Sequence, residues 1–172
     1  MPRVPDLNLP TNSARVQAQN KDAWNGERSR ELADFYTIGY MRRDIASFVS
    51  VLRDAGVMTV LDVRYAPVSI YKPDFSKTNL RRHLAEAEIG YLHFPELGVP
   101  RDIRGKAAGQ PTRDLIWHWY DRHVVPLLTL HSFFNSSEHP VALLCVELDP
   151  TSCHRHRLSL ALERRGLRGF DL

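Results

Sequence analysis

The chain has 172 residues, a length that suits one domain with a real core and is too short for two. Its hydrophobic fraction of 43% and charged fraction of 25% are ordinary for a soluble globular protein, and its formal net charge of +3 permits a polyanionic partner without requiring one. No apolar run approaches the roughly 20 residues that span a bilayer, so no membrane partner is expected. The N-terminus lacks the apolar core of a secretory signal, and two cysteines without such a signal favour a reducing, cytoplasmic location.

The first part of the chain differs in composition from the rest. Residues 1–33 are rich in Pro, Asn, Gln, Ser and charged side chains and show no sustained apolar period, so we expect a flexible N-terminal arm. Trp24 is the exception there, an aromatic residue that could pack on the body. Residues 34–172 are expected to form a single α/β domain.

From residue 35 the sequence alternates between short apolar runs and apolar residues at helical spacing. Strands are predicted over 35–38, 57–63, 91–94, 141–144 and 167–171. Helices are predicted from Ile45 to a stop at Gly56, around 80–87, over 115–134 with a break at Pro126, and from Cys153 onwards. A glycine- and proline-rich connection over 95–112 reads as a long functional loop. The alternation predicts a three-layer α/β fold with a mostly parallel sheet flanked by helices.

The segment 141–157 carries both cysteines of the chain. Cys145 ends a predicted strand, and Cys153, His154 and Arg155 begin the next helix after a polar loop. In a parallel sheet such a loop lies outside the carboxyl ends of the strands, where α/β proteins bind ligands. A thiol at a helix N-terminus beside a cation favours the thiolate, so Cys153 is predicted to be the more reactive cysteine and the loop a candidate anion site.

The same edge of the sheet is expected to collect other polar side chains. Asp62 and Arg64 follow the second predicted strand, His93 ends the third, and Glu147 follows the fourth. The candidate catalytic residues are Cys153, Cys145, Glu147, His93 and His154, and the candidate substrate-binding residues include Asp62, Arg64 and Arg155. Structural roles also fit, because Cys145 suits a packed core position and Arg64 suits an ion pair with Asp62 or Glu147.

A metal site is a further alternative. The two cysteines, His154 and His93 include the ligand types that zinc uses. The gap between Cys145 and Cys153 is wider than the spacing of zinc fingers or ribbons, and no second close cysteine pair exists, so no metal site is predicted. The sequence leaves open whether the cysteines are catalytic, metal-binding or structural, and it names no cofactor.

An ordered set of short motifs runs along the chain. It comprises YTIG at 36–39, DVR at 62–64, Pro67, Ser69, Pro73, Phe75, GYLH at 90–93, PELG at 95–98, LCVE at 144–147 and CHR at 153–155. Together these motifs resemble the domain-of-unknown-function 488 family, and the resemblance implies a compact α/β domain with a parallel sheet. Ser69, within this set, is also a candidate substrate-binding residue. The chain departs from the family where Tyr40-Met41 replaces a usual His-Ser and where Gly98-Val99 replaces a usual Gly-Gly. If the usual His is a working group in the family, its replacement by Tyr40 implies an altered activity or none.

Two classes of function fit these observations. The first is an enzyme that acts on an anionic small molecule through a Cys/His/Arg site. The second is a nucleic-acid-associated binding module with a basic surface for phosphates and aromatic rings for bases. Its residues would be Arg42, Arg43, Arg81, Arg82, Arg101, Arg104 and Lys106, with Tyr65, Tyr71, Trp117 and Trp119. The sequence sets neither the substrate nor the oligomeric state.

Overall fold

The computed structural model describes residues 33–108, 113–128 and 139–172. The predicted N-terminal arm, with Trp24, lies outside the described residues apart from residue 33. The sheet has five strands: β1 (Phe35–Gly39), β2 (Thr59–Asp62), β3 (Gly90–His93), β4 (Val141–Cys145) and β5 (Gly169–Asp171). The described helices are α1 (Ile45–Asp54), α2 (Lys77–Glu86), α3 (Arg101–Ala107), α4 (Asp114–His123) and α5 (His154–Glu163). None of them is long and apolar enough to cross a membrane.

The sheet order is β3-β2-β4-β1-β5, and every neighbouring pair is parallel. The predicted single-domain α/β fold with a mostly parallel sheet is therefore confirmed. After β2 the chain crosses to β3 on one side, and after β4 it crosses to β5 on the other. The two connections diverge between neighbouring strands, and this arrangement opens a crevice above their carboxyl ends.

Residues that alternate along each strand separate two halves of the core. Leu61, Val63, Leu143 and Cys145 face the half that contains residues of α4 and α5. Val60, Ala142 and Leu144 face the half that contains residues of α1 and α2. Because both faces are covered, the central strands read as continuous apolar runs instead of alternating ones.

The connection predicted as a loop over 95–112 is partly helical. It begins with a 3₁₀ turn over Pro95–Leu97 and continues into α3, so the loop prediction is wrong for residues 101–107. Glycine and proline signalled a loop, but Pro100 stands just before the first turn of α3, where it removes no helical hydrogen bond. The helix predicted over 115–134 ends at His123, and a 3₁₀ turn over Val125–Leu127 follows. The remainder of that predicted helix falls largely on residues 129–138, which lie outside the described part of the chain.

Candidate active site at the carboxyl edge of the sheet

Both cysteines and His154 meet where β4 ends and α5 begins. Cys145, Cys153 and His154 are 0%, 1% and 4% exposed. Cys145 Sγ lies 3.6 Å from His154 Nδ1, and Cys153 Sγ lies 3.9 Å from the same nitrogen. Both thiols are free, and one candidate ligand atom from each of the three residues lies within 4.8 Å of the other two. We call these three residues the thiol cluster, and they are the described residues best placed to hold a metal ion.

The imidazole of His154 connects the thiol cluster to β2. Its Nε2 lies 3.0 Å from the carbonyl oxygen of Val63. A carbonyl only accepts, so this contact assigns the ring proton to Nε2 and the lone pair to Nδ1. Cys145 Sγ is 3.9 Å from Nε2, nearly the same as its distance to Nδ1, so the sulfur lies over the ring and not in its plane. The imidazole therefore occupies the crevice between β2 and β4.

Glu147 brings a negative charge beside the thiols. Its Oε2 lies 3.5 Å from Cys145 Sγ, and its Oε1 lies 3.4 Å from a terminal guanidinium nitrogen of Arg113. Burial raises the pKa of Glu147, but its hydrogen bond with Cys153 and the charge of Arg113 lower the pKa by more, so it lies below the usual value. The carboxylate is accordingly ionised near neutral pH.

Cys153 is the first residue before α5, at the helix N-terminus where the sequence placed it. Burial, and next the contact with Cys145, raise the pKa of the Cys153 thiol well above its usual value. This shift opposes the thiolate that a helix N-terminus beside Arg155 was expected to favour. The physical reason is that Cys153 is enclosed by protein, and the guanidinium of Arg155 is used elsewhere.

Arg155 is the largest fully buried side chain of the described chain. Its guanidinium donates to the carbonyl oxygens of Glu147 at 2.5 Å and Leu148 at 3.0 Å, and to the Thr37 hydroxyl at 3.1 Å. Gly39 allows this approach of the loop to β1, because a Cβ at that position would lie 1.8 Å from the Glu147 carbonyl oxygen. Arg155 thus ties the loop after β4 to β1, and we do not assign it to substrate binding as the sequence suggested.

A cavity of about 290 Å³ opens beside the thiol cluster. We call it the Glu147 cavity; its lining is Val99, Arg104, Ala107, Ala108, Arg113, Ile116, Trp117, Glu147 and His154. The two arginines are exposed cations on α3 and just before α4, whereas Glu147 and His154 form the wall that separates the cavity from the thiols. The lining therefore combines anion-binding side chains with groups that contact Cys145.

A second cavity of about 310 Å³ shares Val99 and Arg104 with the first. We call it the Tyr65 cavity; its lining is Tyr40, Arg64, Tyr65, Ala66, Val68, Ile70, Val99, Arg101, Arg104 and Val146. Gly98 permits the close packing beneath it, since a Cβ there would lie 2.1 Å from the backbone nitrogen of Tyr65. Tyr40 stacks on Phe75 at 4.4 Å and is only 6% exposed.

Asp62 and Arg64 form a buried ion pair next to this second cavity. Arg64 donates to the two Asp62 carboxylate oxygens at 2.8 and 2.5 Å and to the Phe75 carbonyl at 2.9 Å, and the Tyr91 hydroxyl donates to Asp62 Oδ2 at 2.6 Å. Burial lowers the pKa of Arg64, and the contact with Asp62 raises it by more. The pair has the structural role that the sequence left open, because each side chain is engaged by the other.

His93 and Ser69 lie at the same edge but outside the two cavity linings given above. His93 Nε2 is 2.9 Å from the Arg64 carbonyl oxygen, and its Nδ1 is 3.1 Å from the Lys77 amine. The Ser69 backbone N–H donates to the Ser76 hydroxyl at 3.0 Å. These contacts stabilise the loops after β2 and β3 and bring neither side chain to the thiol cluster.

Arg113 is a site residue that the sequence did not reveal. It is one of 23 lysines and arginines, and no motif marks it. Arg104 was named only as part of a basic surface. Only the packing of α3 and α4 over the carboxyl edge brings these two cations to Glu147.

Comparison with known protein families places the chain in one of them. The family model described as domain of unknown function DUF488 matches residues 44–162, which is more than half of the chain. The chain therefore belongs to this family, as its ordered motifs indicated. No curated protein and no solved structure matches the chain.

Proposed function

We propose that the protein is an enzyme that binds an anionic small molecule in the Glu147 cavity and reacts with it through the Cys145 thiol. One observation carries this proposal: the same cavity is lined by Arg104 and Arg113 and by the two side chains that contact Cys145, namely Glu147 and His154. Guanidinium groups bind carboxylate, phosphate and sulfate oxygens in a planar, bidentate manner. An anion held there has its reacting end directed at the wall formed by Glu147 and His154.

Cys145 is assigned the nucleophile because its sulfur lies closer to His154 Nδ1 than the Cys153 sulfur does, at 3.6 Å against 3.9 Å, and because burial raises the pKa of the Cys153 thiol well above its usual value. Once the imidazole has turned to point its Nδ1 lone pair at the thiol, the sulfur would form a bond with the electrophilic atom of the substrate while the thiol proton passes to His154 Nδ1, which lies 3.6 Å from the sulfur in the structure. The leaving group would depart with the bonding electrons and take a proton from the imidazolium, and water would then release the product from the sulfur. Access requires Glu147 to turn aside, and its side chain is 20% exposed on the cavity wall.

The anion site can be tested with inorganic phosphate, sulfate and pyrophosphate as probes in isothermal titration calorimetry. We expect Arg113→Met and Arg104→Met each to weaken binding several-fold, because each removes one charge-assisted contact. Arg81→Met is the matched control, since Arg81 is an exposed arginine on α2, which packs on the other face of the sheet. Absence of binding, or equal weakening by Arg81→Met, would overturn the assignment of the cavity.

Reactivity is tested by screening anionic esters and acyl compounds for turnover, with Cys145→Ser as the variant that should abolish it and Cys153→Ser as the comparison. Turnover that survives in Cys145→Ser would remove Cys145 from the nucleophile's role. Tight, salt-dependent binding of a single-stranded oligonucleotide without turnover would instead favour the binding-module function. Two free buried thiols also fit the reducing, cytoplasmic location that we retain as part of this proposal.

A further inference from the structure

We propose that Cys145, Cys153 and His154 form a binding site for one soft transition-metal ion, with zinc as the best match. Cysteine thiolates and a neutral imidazole are the ligands that zinc prefers. This inference goes beyond the proposed function, in which Cys145 is a reagent, because here both cysteines are ligands. No metal site was predicted from the sequence, because the two cysteines are spaced more widely than in zinc fingers or ribbons. The fold brings the start of α5 back to the end of β4, so the spacing along the chain does not keep the ligands apart.

The separations among the ligand atoms support this site. A tetrahedral ion with bonds of about 2.3 Å to sulfur and about 2.0 Å to nitrogen places sulfur and nitrogen ligands about 3.5 Å apart. The two sulfur distances to His154 Nδ1 are 3.6 and 3.9 Å, and all three ligand atoms lie within 4.8 Å of one another. A turn of the imidazole about its Cβ–Cγ bond is still required, because Cys145 Sγ lies over the ring and the Nδ1 lone pair must point at the ion.

The surroundings of the cluster also suit an ion. The Val63 carbonyl oxygen, 3.0 Å from Nε2, is the kind of outer acceptor that holds the other ring N–H of metal-binding histidines. Without an ion, the single lone pair on Nδ1 can accept from only one of the two buried thiols. With an ion, both sulfurs bind directly, and each thiol releases its proton to solvent with no change in oxidation state.

The fourth coordination position faces the Glu147 cavity. Glu147 Oε2 lies 3.5 Å from Cys145 Sγ, so either this carboxylate or a water from the cavity can complete the tetrahedron. The cavity also gives the ion an entry path past the exposed face of Glu147. An ion held by both sulfurs occupies the electron pairs that thiol chemistry needs, so metal-bound and thiol-reactive states exclude each other.

The test uses the full chain, reduced and stripped of metal, titrated with Co²⁺ and then Zn²⁺. We expect one equivalent of Co²⁺ to bind with the visible and thiolate-to-metal absorption of a tetrahedral site, and Zn²⁺ to displace it. Cys145→Ser and Cys153→Ser should each weaken binding at least tenfold and remove the thiolate absorption. His118→Ala, which removes an exposed histidine on α4, is the matched control and should change neither.

A measurement on the unmodified protein covers the case in which a cysteine variant fails to fold. Zn²⁺ should slow the reaction of both thiols with a disulfide reagent, and a chelator should restore it. No stoichiometric binding, binding that survives in both serine variants, or thiol reactivity unchanged by Zn²⁺ would each overturn the metal site. The anion site rests on Arg104 and Arg113, so its failure in calorimetry leaves the metal titration unaffected, and the two proposals fail separately.

Discussion

Replacing Arg64 by methionine would measure what the buried ion pair contributes to stability. Arg64 and Asp62 are 3% and 0% exposed, and the guanidinium meets both carboxylate oxygens. Removing the cation leaves Asp62 buried with only the Tyr91 hydroxyl and the Arg64 backbone N–H as donors among its described contacts. Breaking a buried pair in this way costs about 3–5 kcal/mol of unfolding free energy. For a chain of this length the melting temperature should fall by about 6–20 °C.

The loss is measured by urea unfolding followed by circular dichroism, with equal m-values as the condition for comparing free energies. Arg82→Met is the matched control, because Arg82 pairs with Glu86 while the two side chains are 56% and 58% exposed. That pair should contribute less than about 1 kcal/mol. Arg64→Lys keeps the charge but loses the planar fork, so its stability should fall between wild type and Arg64→Met. A loss in Arg64→Met no larger than that of the control would refute the view that the pair supports the fold.

Three further substitutions test the packing and the charges of the fold. Gly98→Ala should destabilise the protein because the new Cβ would lie 2.1 Å from the Tyr65 backbone nitrogen. Gly105→Ala should stabilise α3 by about 0.5–1 kcal/mol, because its Cβ would lie in open space, with no atom beyond its own helix within 4 Å. The midpoints of urea unfolding measure both effects. Burial raises the pKa of Asp34, but its hydrogen bonds with Arg168 and the charge of Arg168 lower the pKa by more. The stability that Asp34 contributes is therefore present above its ordinary pKa of 3.8 and is lost as the pH falls through the lower pKa of the folded protein. Unfolding curves of wild type and Asp34→Asn should therefore converge at low pH, and a difference that persists there would contradict this linkage.

The sequence predicted the parts of the site that depend on strand order. Cys145 ends an apolar run, and Cys153 and His154 open the next amphipathic segment, so alternation alone indicates that they share one edge of a parallel sheet. The motifs also indicated the family. What alternation cannot indicate is which side chains the fold encloses, because enclosure depends on segments distant in the chain.

Arg155 and the helix α3 show this limit. From the sequence we interpreted Arg155, at the start of a helix, as an anion-binding residue. In the structure its guanidinium donates hydrogen bonds to two carbonyl oxygens and a hydroxyl group on other segments. The helix α3 was read as a loop because glycine and proline dominate its surroundings, and none of its side chains is fully buried to give an apolar period. Arg104, carried by α3, was consequently assigned to a surface and not to a cavity wall.

The burial of Arg155 has a consequence for how readily the site can work. Its guanidinium joins the first turn of α5 to the loop that carries Glu147 and, through Thr37, to β1, whose Thr37 hydroxyl also donates to Asp171 of β5. The residues on either side of the thiol cluster are therefore held in place when the protein folds. A ligand arriving from the cavity therefore meets a loop backbone that is already ordered, so little of its binding energy is spent on ordering loops, and only the side chains of Glu147 and His154 have to turn.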